Sequence, residues 1–151
     1  MQQALAARTP VHLWIVGTLA TLWNCFGGYD YVMTRMRNTD YIAAAMPGVD
    51  PQAALAWVDA MPIYAQFGWG LGVWLGLLGS ILLLLRSRWA VWSLGLSMIG
   101  AIVSLGYQIA LAPPLAGAEG LMMTVMPYVI ILIAVALFLY ARAQAAKGVL
   151  R

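Results

Sequence analysis

Residues 62–112 read PIYAQFGWGLGVWLGLLGSILLLL-RSR-WAVWSLGLSMIGAIVSLGYQIALA, two long apolar runs joined only by Arg86-Ser87-Arg88. A hydrocarbon core of about 30 Å takes about 20 helical residues to cross, and each run supplies that. A three-residue link leaves no choice but a tight antiparallel hairpin. The two runs also carry matching faces. Gly68, Gly72 and Gly76 recur every four residues in the first, and Ser93, Ser97 and Ala101 in the second, with Gly100 and Ser104 beside them. Small residues on one helix face let a neighbouring backbone approach closely, so these two faces are expected to pack together. Homodimerisation through the glycine face is the alternative. The series Gly68, Gly70, Gly72 is no phosphate loop, because neither a strand nor a P-loop lysine accompanies it.

Two further apolar runs, Val11–Met33 and Leu121–Ala141, are of the same kind. The expected fold is an all-α integral membrane protein of one domain over residues 1–151. Its four transmembrane helices (about 11–33, 62–85, 89–112 and 121–141) form an up-down-up-down bundle. Composition agrees: the chain is 64% hydrophobic and 9% charged, where soluble domains carry about 25% charge. Thr9-Pro10 reads as a cap and first helical position, and Pro62 opens the second run. The first helix ends near Gly27-Gly28 or runs on to Met33. Pro113-Pro114 stops the third run, and Pro127 is expected to tilt or kink the fourth. In the outer loop, 34–61, Asp40 and Asp50-Pro51 are start signals for two short interfacial helices. In the second of these Ala54, Trp57, Val58 and Met61 share one face, away from Gln52 and Asp59.

Positive charge sets an orientation. Arg8, Arg86, Arg88, Arg142, Lys147 and Arg151 fall on one side of alternating helices; Arg35 and Arg37 fall on the other with Asp40, Asp50, Asp59 and Glu119. Both termini are therefore expected in the cytoplasm and the long loop outside. Trp89, Trp92 and Tyr140 then lie near the inner boundary, and Tyr29, Tyr31, Trp57, Tyr64, Tyr107 and Tyr128 near the outer one, as an aromatic belt. A net charge of +3 suits anionic lipid head groups and gives no reason to invoke nucleic acid.

Polar residues inside the runs are the candidates for function, since each needs a partner away from water. The candidate outer cluster is Asn24, Asp30, Tyr31, Thr34, Arg35, Arg37, Gln66, Tyr107 and Gln108, with Thr124 at a similar height. Asp30 is the one acid within a run. It pairs with Thr34, Arg35, Arg37 or Gln108 as a structural fastening, or it belongs to a solute or proton site open to the exterior. Asn24 reads as interhelical glue. No catalytic residue, metal site or cofactor is expected. His12 is the sole histidine, which excludes bis-histidine haem within one chain, and it lies at the opposite boundary from the acids. Cys25 is the sole cysteine; no intramolecular disulfide is possible, and it is expected to be buried. The first run has no small-x-small cleavage site and reads as retained.

The stretch Trp23–Thr34 (WNCFGGYDYVMT), Met36-Arg37-Asn38, the Leu84–Val91 turn (LLRSRWAV) and Tyr107-Gln108 together resemble a group of small four-span inner-membrane proteins of proteobacteria, often labelled "sugar transporter". The likeness covers Trp14 to Gln108. It implies a bacterial inner-membrane address and places Asp30, Tyr31, Thr34 and Arg37 in the group's most recognisable segment. Two functions are consistent with these readings. One is a non-catalytic accessory or assembly subunit, partnered by other membrane subunits or by itself. The other is a small solute transporter or channel with an outer vestibule around Asp30.

Overall fold

The computed structural model describes residues 9–151, and Arg8 lies outside them. Six helices account for most of these residues: α1 (Val11–Arg35), α2 (Thr39–Ala45), α3 (Pro51–Asp59), α4 (Ile63–Leu84), α5 (Trp89–Ala110) and α6 (Leu121–Ala146). No strand occurs among the described residues. Helices α4, α5 and α6 are long and apolar enough to cross a membrane. Helix α1 has 25 residues, but His12, Thr18, Thr21, Asn24, Gly27, Gly28 and Asp30 dilute its apolar character.

Several boundaries differ from the sequence expectation. Helix α1 takes the longer of the two expected paths, through Gly27-Gly28, and ends past Met33 at Arg35; α6 continues past Ala141 to Ala146. Pro10 is itself the extended residue before α1, and no side chain caps that end, so Thr9 does not serve. Asn38, not Asp40, caps α2 by accepting from the Tyr41 amide; Asp40 already lies in the first turn. Asp50 caps α3 from Gln52, with Pro51 opening the helix.

The long helices pack in the order α1 on α4, α4 on α5, and α5 on α6. Helices α4 and α5 run in opposite directions, and their small-residue faces meet. Ser93 donates to the Leu75 carbonyl at 2.8 Å and Ser97 to the Gly72 carbonyl at 2.6 Å. A Cβ on Gly68 would fall 2.9 Å from the Gly100 carbonyl oxygen, closer than side chains ever sit. The glycine face is thus occupied by α5. On its other side α4 receives α1, where Asn24 abuts Gly76 and Tyr31 lies against Gly70.

The two ends of this array are built differently. At the turn end, Leu13, Leu83, Ala90, Leu94, Ala141, Val149 and Leu150 form a small core. The chain beyond α6 folds back there. Arg151 N–H donates to the Arg86 carbonyl at 2.7 Å, Arg88 N–H to the Arg151 carbonyl at 2.8 Å, and Arg86 Nε to the Val149 carbonyl at 3.3 Å. This clasp holds Arg86 at φ 59°, a left-handed conformation that costs a non-glycine residue about 1 kcal/mol or more. His12 Nδ1 and the Tyr140 hydroxyl add a 2.6 Å bond between α1 and α6.

At the cap end, α2 and α3 lie across the bundle. Ile42, Val49, Ala54 and Leu55 are buried against Leu115, Ala118 and Met123. Leu55 joins the buried face that the sequence assigns to Ala54 and Met61. Trp57 Nε1 donates to the Pro113 carbonyl at 2.8 Å, so a side chain expected to anchor in head groups instead ties α3 to the loop before α6. Two glycines make the crossing possible. Gly48 and Gly117 have φ of 94° and 85°, and a Cβ on Gly117 would collide with the Gly48 carbonyl.

Candidate functional site

The polar residues of the cap end do not form one cluster; the structure divides them among three places. The first is the α1–α4 seam. Asn24 Nδ2 donates to the Ala20 carbonyl of its own helix at 2.8 Å, while the rest of its amide meets Gly76. Tyr31 stacks edge-on against Trp69 and Trp74 with centroids 4.7 and 5.9 Å apart. These contacts fasten helices. Cys25 points away from the seam and is exposed, contrary to expectation, because successive helix positions diverge by about 100° and Asn24 takes the inward one.

The second place holds the cations. Arg35 Nη1 donates to Gln66 Oε1 at 3.2 Å, and Gln66 Nε2 reaches the Met61 carbonyl at 2.9 Å. Arg37 pairs with Asp59 at 2.9 Å, both side chains being 55% exposed. Together with Thr34, Leu55 and Val58 they line a recess of about 200 Å³. The pairing of Asp30 with Arg35 or Arg37 is therefore corrected: both arginines are turned to α3 and α4, and Arg37, at φ 59°, has left the helical path that would aim it back at Asp30.

The third place is a cavity of about 630 Å³ between the cap-end halves of α1, α5 and α6, roofed by α2, α3 and the 112–118 loop. Its wall is apolar: Ile42, Met61, Leu105, Ile109, Met126 and Ile130 are representative. Asp30, Thr34, Gln108 and Thr124 supply its polar spots, and Trp57, Trp69 and Tyr128 its aromatic ones. Among the described residues of the lining Asp30 is the one carboxylate, and there is no lysine, arginine or histidine.

Asp30 Oδ1 accepts a 2.8 Å hydrogen bond from the Tyr41 hydroxyl. Tyr41 is brought there by the Asn38 cap, which starts α2 in the direction that lays it back over α1, and its ring meets Tyr29 edge-on. Burial, then the bond to Asp30 and the charge of Asp30, push the Tyr41 phenol well above its ordinary value. It therefore stays protonated and keeps donating throughout the physiological range. Thr34 lines the cavity without bonding Asp30, and Gln108 turns its Nε2 to Ser104 at 3.5 Å. Tyr107 lies elsewhere, edge-on to Tyr64 at 6.0 Å. Thr124 donates to the Gly120 carbonyl at 3.2 Å.

Tyr41 is the residue that sequence reasoning missed. It stands outside every apolar run, and only the return of α2 over α1 reveals its role. Among the described residues no group of histidine, cysteine and acid is arranged to hold a metal ion. The cavity offers a shaped apolar volume with one acceptor carboxylate, held by a neutral phenol: an arrangement suited to binding. No protein-family model, curated protein or solved structure matches this chain.

Proposed function

We propose that this chain is a non-catalytic, four-span protein of the bacterial inner membrane whose outer half binds a small, largely apolar solute, in the manner of a small transporter. The observation that carries this reading is the 630 Å³ cavity with Asp30 on its wall. Its size lies in the range of small-molecule sites, about 300–1,000 Å³, and so does its make-up of apolar wall with a few placed polar groups. The fourth span in this reading is α1. Ile15, Leu19, Leu22 and Phe26 form an exposed apolar stripe along it, which only lipid or another helix would cover. The excess of Lys and Arg at the turn end supports an orientation with that end and both termini in the cytoplasm. An up-down-up-down path is part of the same proposal.

Native mass spectrometry of the chain released from mild detergent tests this. The expected result is a small-molecule adduct that Leu105→Trp, which puts a bulkier ring into the cavity wall, weakens. A bare wild-type chain, or an adduct indifferent to Leu105→Trp, refutes it.

A second reading, the accessory subunit or homo-oligomer, is favoured by α6. That helix packs on α5, and its most apolar stretch has no residue buried. The same spectrum decides: a stoichiometric partner chain or a second copy would mean that α6 is covered by protein.

A further inference from the structure

We infer that the occupant of the cap-end cavity is an amphipathic organic cation, an apolar body carrying an amine, quaternary ammonium or similar onium group, with its charge seated against Asp30. The inference rests on the binding reading above and names the ligand's chemistry. Three observations carry it. Among the described residues of the lining Asp30 is the only carboxylate and no side chain is basic, and Arg35 and Arg37 are engaged outside the cavity, Arg35 by Gln66 and Arg37 by Asp59. A carboxylate in an apolar recess attracts a counter-charge far more strongly than one in water, because little solvent screens it. Among the described residues no basic side chain lines this recess to compete with an incoming cation.

Second, the one side chain that bonds Asp30 is a phenol. Tyr41 donates to Oδ1, which steadies the carboxylate in place, and among the described residues Oδ2 has no hydrogen-bond partner. Third, Trp57, Trp69 and Tyr128 line the same space. Aromatic faces attract cations through the ring quadrupole, most strongly where water is excluded. An anion would meet Asp30 with no compensating donor charge. A polyhydroxylated solute would leave most of its hydroxyls against Leu105, Ile109, Met126 and Ile130, without partners.

Isothermal titration of the full-length protein in mild detergent tests the assignment, with tetraphenylphosphonium as the cation and triphenylphosphine oxide as a neutral probe of similar aromatic bulk. Tetraphenylphosphonium is expected to bind at least about tenfold more tightly than the oxide. Asp30→Asn should weaken the cation by about tenfold, leaving the oxide unchanged, while Asp30→Glu retains the preference. Equal binding of both probes to the wild type overturns the cation assignment and leaves the pocket standing; this comparison needs no variant to fold. A preference that survives in Asp30→Asn also overturns it. Failure of both probes to bind the wild type overturns the cation assignment, and the solute-binding reading falls with it only if the native mass spectrum also shows a bare chain.

Discussion

Replacing Gly100 by alanine puts one methyl group where α5 crosses α4. It would fall 2.6 Å from the Gly68 carbonyl oxygen, 2.8 Å from the Gly72 nitrogen and 3.2 Å from Leu71 Cβ. Backbone atoms cannot rotate away, so relaxing the closest approach to 3.4 Å, the near limit of ordinary contact, forces the helices apart by about 0.8 Å. That separation stretches the hydrogen bonds from Ser97 to Gly72 and from Ser93 to Leu75, now 2.6 and 2.8 Å, to the edge of useful geometry. Overpacking costs about 1–3 kcal/mol. Each weakened interhelical bond adds up to about 0.6 kcal/mol, and the better helix propensity of alanine returns about 1 kcal/mol. The net expectation is a loss of up to about 3 kcal/mol. Gly106→Ala, on the same helix with nothing within 4 Å of its would-be Cβ, isolates the propensity gain and should be neutral or slightly stabilising. Reversible unfolding in mixed micelles of rising SDS fraction, followed by tryptophan fluorescence, reads both. If Gly100→Ala proves as stable as Gly106→Ala, the α4–α5 contact is not the close one described.

Leu150→Ala should cost about 2–3 kcal/mol by the same assay, since Leu150 is 2% exposed within the turn-end core and truncating a buried leucine leaves a cavity; a change below 0.5 kcal/mol would mean the clasp is peripheral. Asp50→Ala removes the α3 cap and should loosen that helix by about 1 kcal/mol, seen as faster hydrogen exchange at residues 52–55 while the unfolding of the long helices is unchanged. The folded protein holds the Tyr41 proton more tightly than the unfolded chain, whose tyrosines titrate near 10. The stability this provides is complete below pH 10 and falls as pH rises toward the raised value. The melting temperature should therefore drop above pH 10, and drop less in Tyr41→Phe; an identical alkaline profile in the two proteins contradicts the Asp30–Tyr41 bond.

The long helices are legible in the sequence because lipid-length apolar runs and proline or arginine-turn boundaries are local signals. The pairing of Gly72 with Ser97 is legible for a related reason: a three-residue link dictates which faces meet once both carry small residues at the same interval. What sequence reasoning could not supply depends on long-range return of the chain. Asp30 has arginines five and seven positions away, and proximity in sequence favours them. The left-handed turn at Arg37 and the recess under α3 draw them off, and Tyr41 comes round in their stead. The seating of Val149 and Leu150 on the α4–α5 turn is likewise invisible, because two apolar residues in a tail carry no periodicity. Asp40 and Asn38 show the smaller failure of cap rules: both are good caps two residues apart, and local geometry selects between them.

The clasp at Arg86, Arg88 and Arg151, with the His12–Tyr140 contact, secures one end of α6 by hydrogen bonds. At the other end the same helix is held by apolar packing, Met123 lying against the buried residues of α2 and α3. A helix of 26 residues is about 39 Å long, so the two fastenings are far apart as well as different in kind. Directional backbone bonds set the register of α6 at the turn, and side-chain contacts set its lateral placement beside the cavity.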